Sequence, residues 1–177
     1  TLIKQFGGSD LVTGFVSAVP YIFGIIGLLI IPRSSDRLND RYGHLAVLYV
    51  LGAIGLFLSA WLSVPVLQMA ALCLAAFALF SCTAVFWTLP GRFFAGASAA
   101  AGIALINSVG NLGGYIGPFV IGALKEYTGT LASGLYFLSA VMVFGLVLTG
   151  VVYRLLERKH VLPVEQFAAS ARGATRT

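Results

Sequence analysis

Two asparagines interrupt an apolar stretch in the second half of the chain, and their amides can both donate and accept hydrogen bonds. At about 100° per residue, Asn107 and Asn111 lie about 40° apart on one helical stripe, which also includes Gly114 and Pro118. Three glycines fall on the adjacent flank, where missing side chains allow close helix approach: Gly110, Gly113 and Gly117. Because a buried amide without a partner costs several kcal/mol, both amides should face a cavity or another helix. The residues alone leave a solute contact and an interhelical hydrogen bond equally open.

A second polar group is the segment PRSSDRLNDR, residues 32–41. Asp36 follows an apolar stretch, and Arg37 and Arg41 come after it at one-turn spacing. An acid at this position can pair with a base on a neighbouring helix and hold two helix ends together. These three residues are therefore candidates for a gating role, although the spacing is equally compatible with an ordinary basic loop.

Three further residues are candidates to line a cavity. Trp87 and Thr88 end the third apolar stretch, and Tyr21 follows Pro20 near the middle of the first. An interfacial belt position is the competing interpretation for Trp87, and packing between helices is the competing interpretation for Tyr21.

No catalytic, metal or cofactor site is predicted. The apolar stretches contain no Asp or Glu, and no His that could activate their Ser and Cys residues, so an enzyme is not expected. His44 and His160 fall in polar segments and are expected to be solvated.

The elements that must position these residues are membrane helices. Apolar residues make up 59% of the 177 positions, more than a soluble core of this size could bury. A membrane helix needs about 20 predominantly apolar residues, and five stretches are long enough. An all-α membrane protein is predicted, with helices at about 11–31, 45–62, 66–89, 97–124 and 133–153. On the first of these, Gly24 and Gly27 are expected to permit close helix contact. Residues 157–177 are rich in Ala, Ser, Gly and Arg, and are expected to form a disordered tail.

The basic residues predict the orientation of the chain. Nine of the eleven follow the first, third and fifth helices, and only Lys4 and Lys125 fall on the other side. This asymmetry places the 33–44 segment and the C-terminus in the cytoplasm. The net charge of +5 therefore reports orientation, and no nucleic-acid partner is expected. The chain begins outside the membrane without an initiator Met, so we expect a C-terminal fragment of a longer protein.

The segment SSDRLNDR resembles the D-R-x-x-x-R loop motif of the major facilitator superfamily, in its second-half copy. Together with AVPYIFGIIG and the block from FWTLPGRFF to YIGP, it is similar to the anion:cation symporter branch. One departure is Pro32, where the motif usually carries Gly, and it bears on how closely the helices pack there. The resemblance implies that residues 1–156 form helices eight to twelve, most of the C-terminal six-helix bundle of a twelve-helix fold.

The resemblance also implies a function. Such transporters move small organic anions, often carboxylates or sugar acids, by symport with protons or other cations, here across a bacterial inner membrane. It favours Asn107 as a substrate contact and leaves Asn111 open. Because the five stretches carry no charged side chain, the groups that bind the anion and the coupling proton would come from the missing N-terminal half. A non-transporting sensor or assembly subunit on the same fold is the alternative.

Overall fold

The computed structural model describes residues 10–93 and 97–158. These residues form six helices and no strand: α1 (Asp10–Leu38), α2 (Arg41–Trp61), α3 (Pro65–Phe86), α4 (Pro90–Phe93), α5 (Ala97–Thr128) and α6 (Ala132–Arg158). All except α4 contain a segment that is long and apolar enough to cross a membrane. The predicted all-α architecture with five membrane helices is confirmed. The single-turn helix α4 was not expected from the sequence.

The helices extend beyond the predicted boundaries, most of all at the first connection. α1 continues past Ile31 to Leu38, and α2 begins at Arg41, so the segment expected to be a cytoplasmic loop is mostly helical. Charged side chains end the uncharged stretch, but Arg and Leu are good helix formers and the helix continues past the first of these charges. At its end, α6 similarly continues to Arg158. The rest of the predicted tail lies outside the described residues.

The packed part of the molecule consists of α1, α2, α3 and α6. α2 packs against both α3 and α6, and α1 packs against α3. Small residues allow these approaches: a Cβ on Gly55 would lie 2.7 Å from the backbone nitrogen of Ala75. On α1, a Cβ on Gly27 would lie 2.7 Å from the carbonyl oxygen of Phe77. Interhelical contact at this level of closeness is typical of membrane proteins, where packing of small residues drives association.

A polar contact joins α6 to α2 inside the bundle. The Ser139 hydroxyl is buried and donates to the carbonyl oxygen of Ala53 over 2.8 Å. One turn and a half later, Gly145 leaves room for the ring of Tyr49, whose Cε1 would lie 2.6 Å from an added Cβ. These contacts join α6 to the middle of α2.

α5 lies largely apart from this packed core. Its main contacts among the described residues are with α6 and α4, and the contact with α6 includes Ile121 against Gly134. The part of α5 that precedes this contact has open space around it. A Cβ added at Gly110, Gly113, Gly114 or Gly117 would meet no neighbouring atom within 4 Å. Most of its side chains from Ala100 to Phe119 are therefore exposed.

Candidate functional site

The two asparagines lie on an uninterrupted helix, because α5 continues through Pro118. The stripe predicted from the spacing is thus present in the fold, and we call Asn107, Asn111, Gly114 and Pro118 the amide stripe. Both asparagine side chains are exposed, and neither amide has a hydrogen-bond partner among the described residues. Each amide therefore has its full donor and acceptor capacity available.

The amide stripe lies to one side of the part of α5 that is partly covered. Successive residues of a helix are rotated by about 100°. On this basis the half-buried residues of α5 centre on a direction about 100° around the helix axis from Asn107. They are Gly102, Ile106, Gly117, Val120, Ile121 and Leu124. Neither amide hydrogen-bonds α6 or any other described helix, so no described residue supplies the interhelical contact that was one of the two possible roles of the stripe.

The glycines on the flank do not make the close approach that the sequence predicts. Gly110, Gly113 and Gly117 lie on the same side as the half-buried residues, yet none has a neighbouring atom near its Cβ position. Among the described residues α6 does not follow this part of α5. The spacing correctly placed the three glycines on one surface of α5. It could not show whether another helix packs against that surface.

The other candidate lining residues lie on different elements. Tyr21 on α1 is 61% exposed and lines an apolar groove of about 230 Å³ formed by α1, α2 and α3. Its ring meets that of Phe80 edge-on, with centroids 6.0 Å apart. No described side chain of α5 lines this groove, so Tyr21 and the amide stripe do not share it.

Trp87 and Thr88 follow the end of α3. The Trp87 side chain is 41% exposed and packs edge-on against Phe86, with ring centroids 5.8 Å apart. The Thr88 hydroxyl donates to the carbonyl oxygen of Val85 over 2.7 Å. That hydroxyl can still accept a hydrogen bond, but its proton is already donated to a carbonyl oxygen in the last turn of α3.

The connection between α1 and α2 brings the predicted gating residues together. Arg41 Nη2 donates to Asp36 Oδ1 over 2.8 Å, joining the first residue of α2 to the last turn of α1. Asn39 adopts φ of 49°, a left-handed conformation that asparagine tolerates, and this reverses the chain within two residues. Asp40 then caps α2 by accepting from the Gly43 amide over 2.8 Å.

Arg37 does not join this ion pair. Its side chain is exposed and lies beside Arg33 and Ser34 in a second groove, and it has no ion-pair partner among the described residues. The sequence pattern grouped Arg37 with Arg41, whereas the helix directs Arg37 about 100° away from Asp36.

Three residues of the connection were missed by sequence reasoning. His44 is half-buried, and its ring contacts the Ser34 hydroxyl through Nε2 at 3.2 Å and the Asp40 carbonyl oxygen through Nδ1. The buried Ser35 donates to the same carbonyl over 3.3 Å. His44 was expected to be solvated, and the structure leaves its ring partly exposed but in contact with both sides of the connection. Ten residues separate Ser34 from His44, and no helical spacing signals a contact between them.

Residues 1–175 match the family model of the Major Facilitator Superfamily. The chain belongs to this superfamily. With five apolar helices of spanning length, it is an integral, multi-pass membrane protein. The family predicted from the loop motif is confirmed, while the anion:cation symporter branch stays a prediction.

The relatives are bacterial and are named as transporters. The chain is 74% identical over 160 residues to a "Quinolone resistance transporter" of Acinetobacter baumannii, covering 90% of the chain and 37% of that protein. It is 38% identical over 153 residues to a "Putative tartrate transporter" of Agrobacterium vitis, covering 86% of the chain and 34% of that protein. It is 37% identical over 130 residues to the "Inner membrane transport protein RhmT" of Escherichia coli K12, covering 73% of the chain and 30% of that protein.

The chain thus spans about a third of the length of these relatives. No solved structure matches it. Transporters are not enzymes, and the names of the relatives agree with the prediction that this chain is not one.

Proposed function

We propose that this chain is part of a secondary transporter that moves a small organic anion across the membrane by alternating access. The observation that carries this proposal is the amide stripe of α5. Two exposed amides without partners among the described residues, inside a helix of membrane-spanning length, are unfavourable against lipid and require a polar surface or an aqueous cavity. A substrate pathway beside α5 provides such a surface.

In this proposal Asn107 contacts the substrate. Its amide donates to a carboxylate or accepts from a hydroxyl, which suits a hydroxylated acid. Asn111, one turn further on, contributes either to the same cavity or to packing against another part of the protein. Tyr21, Trp87 and Thr88 are secondary candidates, because the structure places them on other elements with contacts of their own.

The charged groups for anion transport come from elsewhere in the protein. The five predicted stretches contain no acidic or basic side chain to pair with a substrate carboxylate or to carry a proton. We propose that the remainder of the protein supplies both, and that the coupling cation that binds there is H⁺. The α1–α2 connection with its Asp36–Arg41 pair would act in gating.

Relatives named as putative tartrate transporters support a small carboxylate as the substrate class. Uptake of radiolabelled tartrate by cells that express the complete gene product tests this proposal. Accumulation that collapses with an uncoupler and falls in the Asn107→Ala variant is the expected result. Uptake equal to that of cells with an empty vector would contradict an anion importer of this kind.

A second candidate is export of quinolones. It is favoured by the 74% identity to the quinolone resistance transporter and by two exposed aromatic rings beside the amide stripe, Tyr115 and Phe119. Quinolones carry an aromatic ring system and a carboxylate, so the same surface could contact them. Expression that raises the quinolone concentration needed to stop growth, without tartrate uptake, would favour this candidate. A sensor or assembly subunit would give neither result.

We also propose that the α1–α2 connection and the C-terminus face the cytoplasm of a bacterial inner membrane. The distribution of basic residues supports this orientation. Single cysteines at the exposed positions Leu38 and Tyr127 test it, because the native Cys73 and Cys82 are buried. A membrane-impermeant thiol reagent applied to intact spheroplasts should label position 127 and spare position 38. The reverse pattern would contradict the proposed orientation.

A further inference from the structure

Two arginines share an open groove at the end of α1. Arg33 and Arg37 lie one helical turn apart and line a groove of about 410 Å³ together with Ile30, Ser34 and Leu38. The groove is located where the apolar part of α1 ends, at the edge of the membrane. Both arginine side chains are exposed.

The positive charge of this groove is not neutralised by the acids nearby. Asp36 is committed to Arg41, and Asp40 caps α2 through the Gly43 amide. Among the described residues, neither Arg33 nor Arg37 has a carboxylate partner. Arg33 donates from Nη1 to the Leu29 carbonyl oxygen, which directs its guanidinium toward the membrane and leaves its other N–H groups available.

The remaining polar group of the groove, the Ser34 hydroxyl, already has a partner. The Ser34 hydroxyl contacts His44 Nε2 at 3.2 Å, so it does not compete for the arginines. The apolar members complete the pattern. Ile30 lies about one turn nearer the bilayer than Arg33 and is 55% exposed, whereas Leu38, which is 68% exposed, lies at the opposite end of the groove, beyond Arg37. A ligand that fits must be negatively charged at the membrane edge and apolar on the bilayer side.

We propose that this groove binds the headgroup of an anionic phospholipid. The phosphate lies between Arg33 and Arg37, and an acyl chain lies along Ile30. Arginine pairs recognise phosphate through several N–H groups at once, and basic pockets at the membrane edge favour anionic headgroups. A zwitterionic lipid would bring a cationic amine to a site that already carries two positive charges. Free inorganic phosphate would leave Ile30 uncovered.

Native mass spectrometry of the complete, detergent-purified protein tests this proposal, with phosphatidylglycerol titrated against phosphatidylcholine. Wild-type protein should bind phosphatidylglycerol more tightly. Each of Arg33→Gln and Arg37→Gln should weaken that binding by about fivefold, the value expected for one basic residue near an anionic headgroup. Arg154→Gln is the matched control, since it removes an exposed charge near the end of α6 that does not line the groove. It should leave phosphatidylglycerol binding unchanged.

Two further measurements distinguish a bound lipid from misfolded variants and from a bound phosphate ion. Melting curves establish that the variants are folded, and Arg33→Lys with Arg37→Lys should retain most of the preference for phosphatidylglycerol. Millimolar inorganic phosphate should fail to displace the lipid. Equal binding of both lipids, equal loss in the Arg154→Gln control, or full displacement by phosphate would each overturn the proposal.

Discussion

Arg41, the first residue of α2, donates to the carboxylate of Asp36 in the last turn of α1 across 2.8 Å. The two partners differ in their surroundings, because the Arg41 side chain is 16% exposed and that of Asp36 is 58% exposed. The Nε of Arg41 is buried without a hydrogen-bond partner, so this guanidinium depends on Asp36 for compensation. Breaking the pair therefore leaves a partly buried positive charge at the junction of two helices.

Replacing Asp36 with Asn should slow transport. The pair is expected to stabilise one conformational state, so removing the charge of Asp36 should shift the equilibrium between inward-open and outward-open states. This shift should lower the maximal transport rate about fivefold or more. Substrate affinity in a single trapped state should change little, since the residue lies at the end of α1. Transport rates and binding to a crosslinked state measure the two quantities separately.

Asp40→Asn is the matched control for this experiment. It removes the same charge in the same connection, and asparagine retains the ability to cap α2. The control should transport normally. Normal turnover in Asp36→Asn as well would mean that the pair has no gating role and that the junction is an ordinary solvated connection.

Asn107→Ala should weaken substrate binding about tenfold to a hundredfold, the loss expected for a hydrogen bond worth about 1–3 kcal/mol. Expression and membrane insertion should be unchanged, because the amide makes no hydrogen bond to another described residue. Ser108→Ala is the control on the same helix, since its hydroxyl donates to the Ala104 carbonyl of α5 itself. Equilibrium binding to the purified protein gives the comparison.

Asn111→Ala should lower thermal stability more than affinity, if this amide packs against another part of the protein. Melting curves with and without substrate distinguish the two effects. A variant at position 107 that binds normally but melts early would reverse the assignment, making Asn107 the packing residue.

Gly55→Ala should destabilise the bundle by about 1–3 kcal/mol, the usual cost of overpacking. The added methyl would collide with backbone atoms of Ala71 and Ala75, which cannot move independently of α3. Gly150→Ala is the matched control, because the same methyl on α6 meets no neighbouring atom within 4 Å. Unfolding in SDS measures both variants, and equal stability would show that α2 and α3 lie further apart than in this structure.

Ser139→Ala should cost on the order of 0.6 kcal/mol, the average for hydrogen bonds between membrane helices. The loss is modest because the Ala53 carbonyl oxygen still accepts a hydrogen bond within α2. Thr83→Ala removes a hydroxyl that donates within α3 and should cost less. If the Thr83 variant is the less stable of the two, the contact of α6 with α2 does not depend on Ser139.

The parts of the fold that depend on composition could be predicted from the sequence. Apolar length located all five membrane helices, and the D-R-x-x-x-R pattern placed Asp36 and Arg41 at a helix junction, where the structure pairs them. Gly24 and Gly27 were expected to permit close packing, and both lie against α3. The helices and the junction are local features, determined by residues near one another in the chain, whereas the glycines predicted a close contact without identifying α3 as the partner helix.

The parts that depend on contacts between distant segments could not be predicted. Charge marked the membrane edge near Arg33 but gave no sign that α1 continues to Leu38. The contact of Ser34 with His44 requires the chain reversal at Asn39, and periodicity does not encode it. The spacing of Asn107 and Asn111 correctly gave a shared stripe. It could not give their exposure, which depends on where α6 lies.

The polar and glycine-rich character of α5 also bears on how the protein is made. Among the five helices of spanning length, α5 is the least hydropathic, so it is the one that the insertion machinery would release into lipid least readily on its own. Only residues 129–131 separate it from the strongly apolar α6. The two helices are therefore suited to enter the bilayer together as a hairpin. Biosynthesis of this region would then depend on α6 being synthesised before α5 is committed to the membrane.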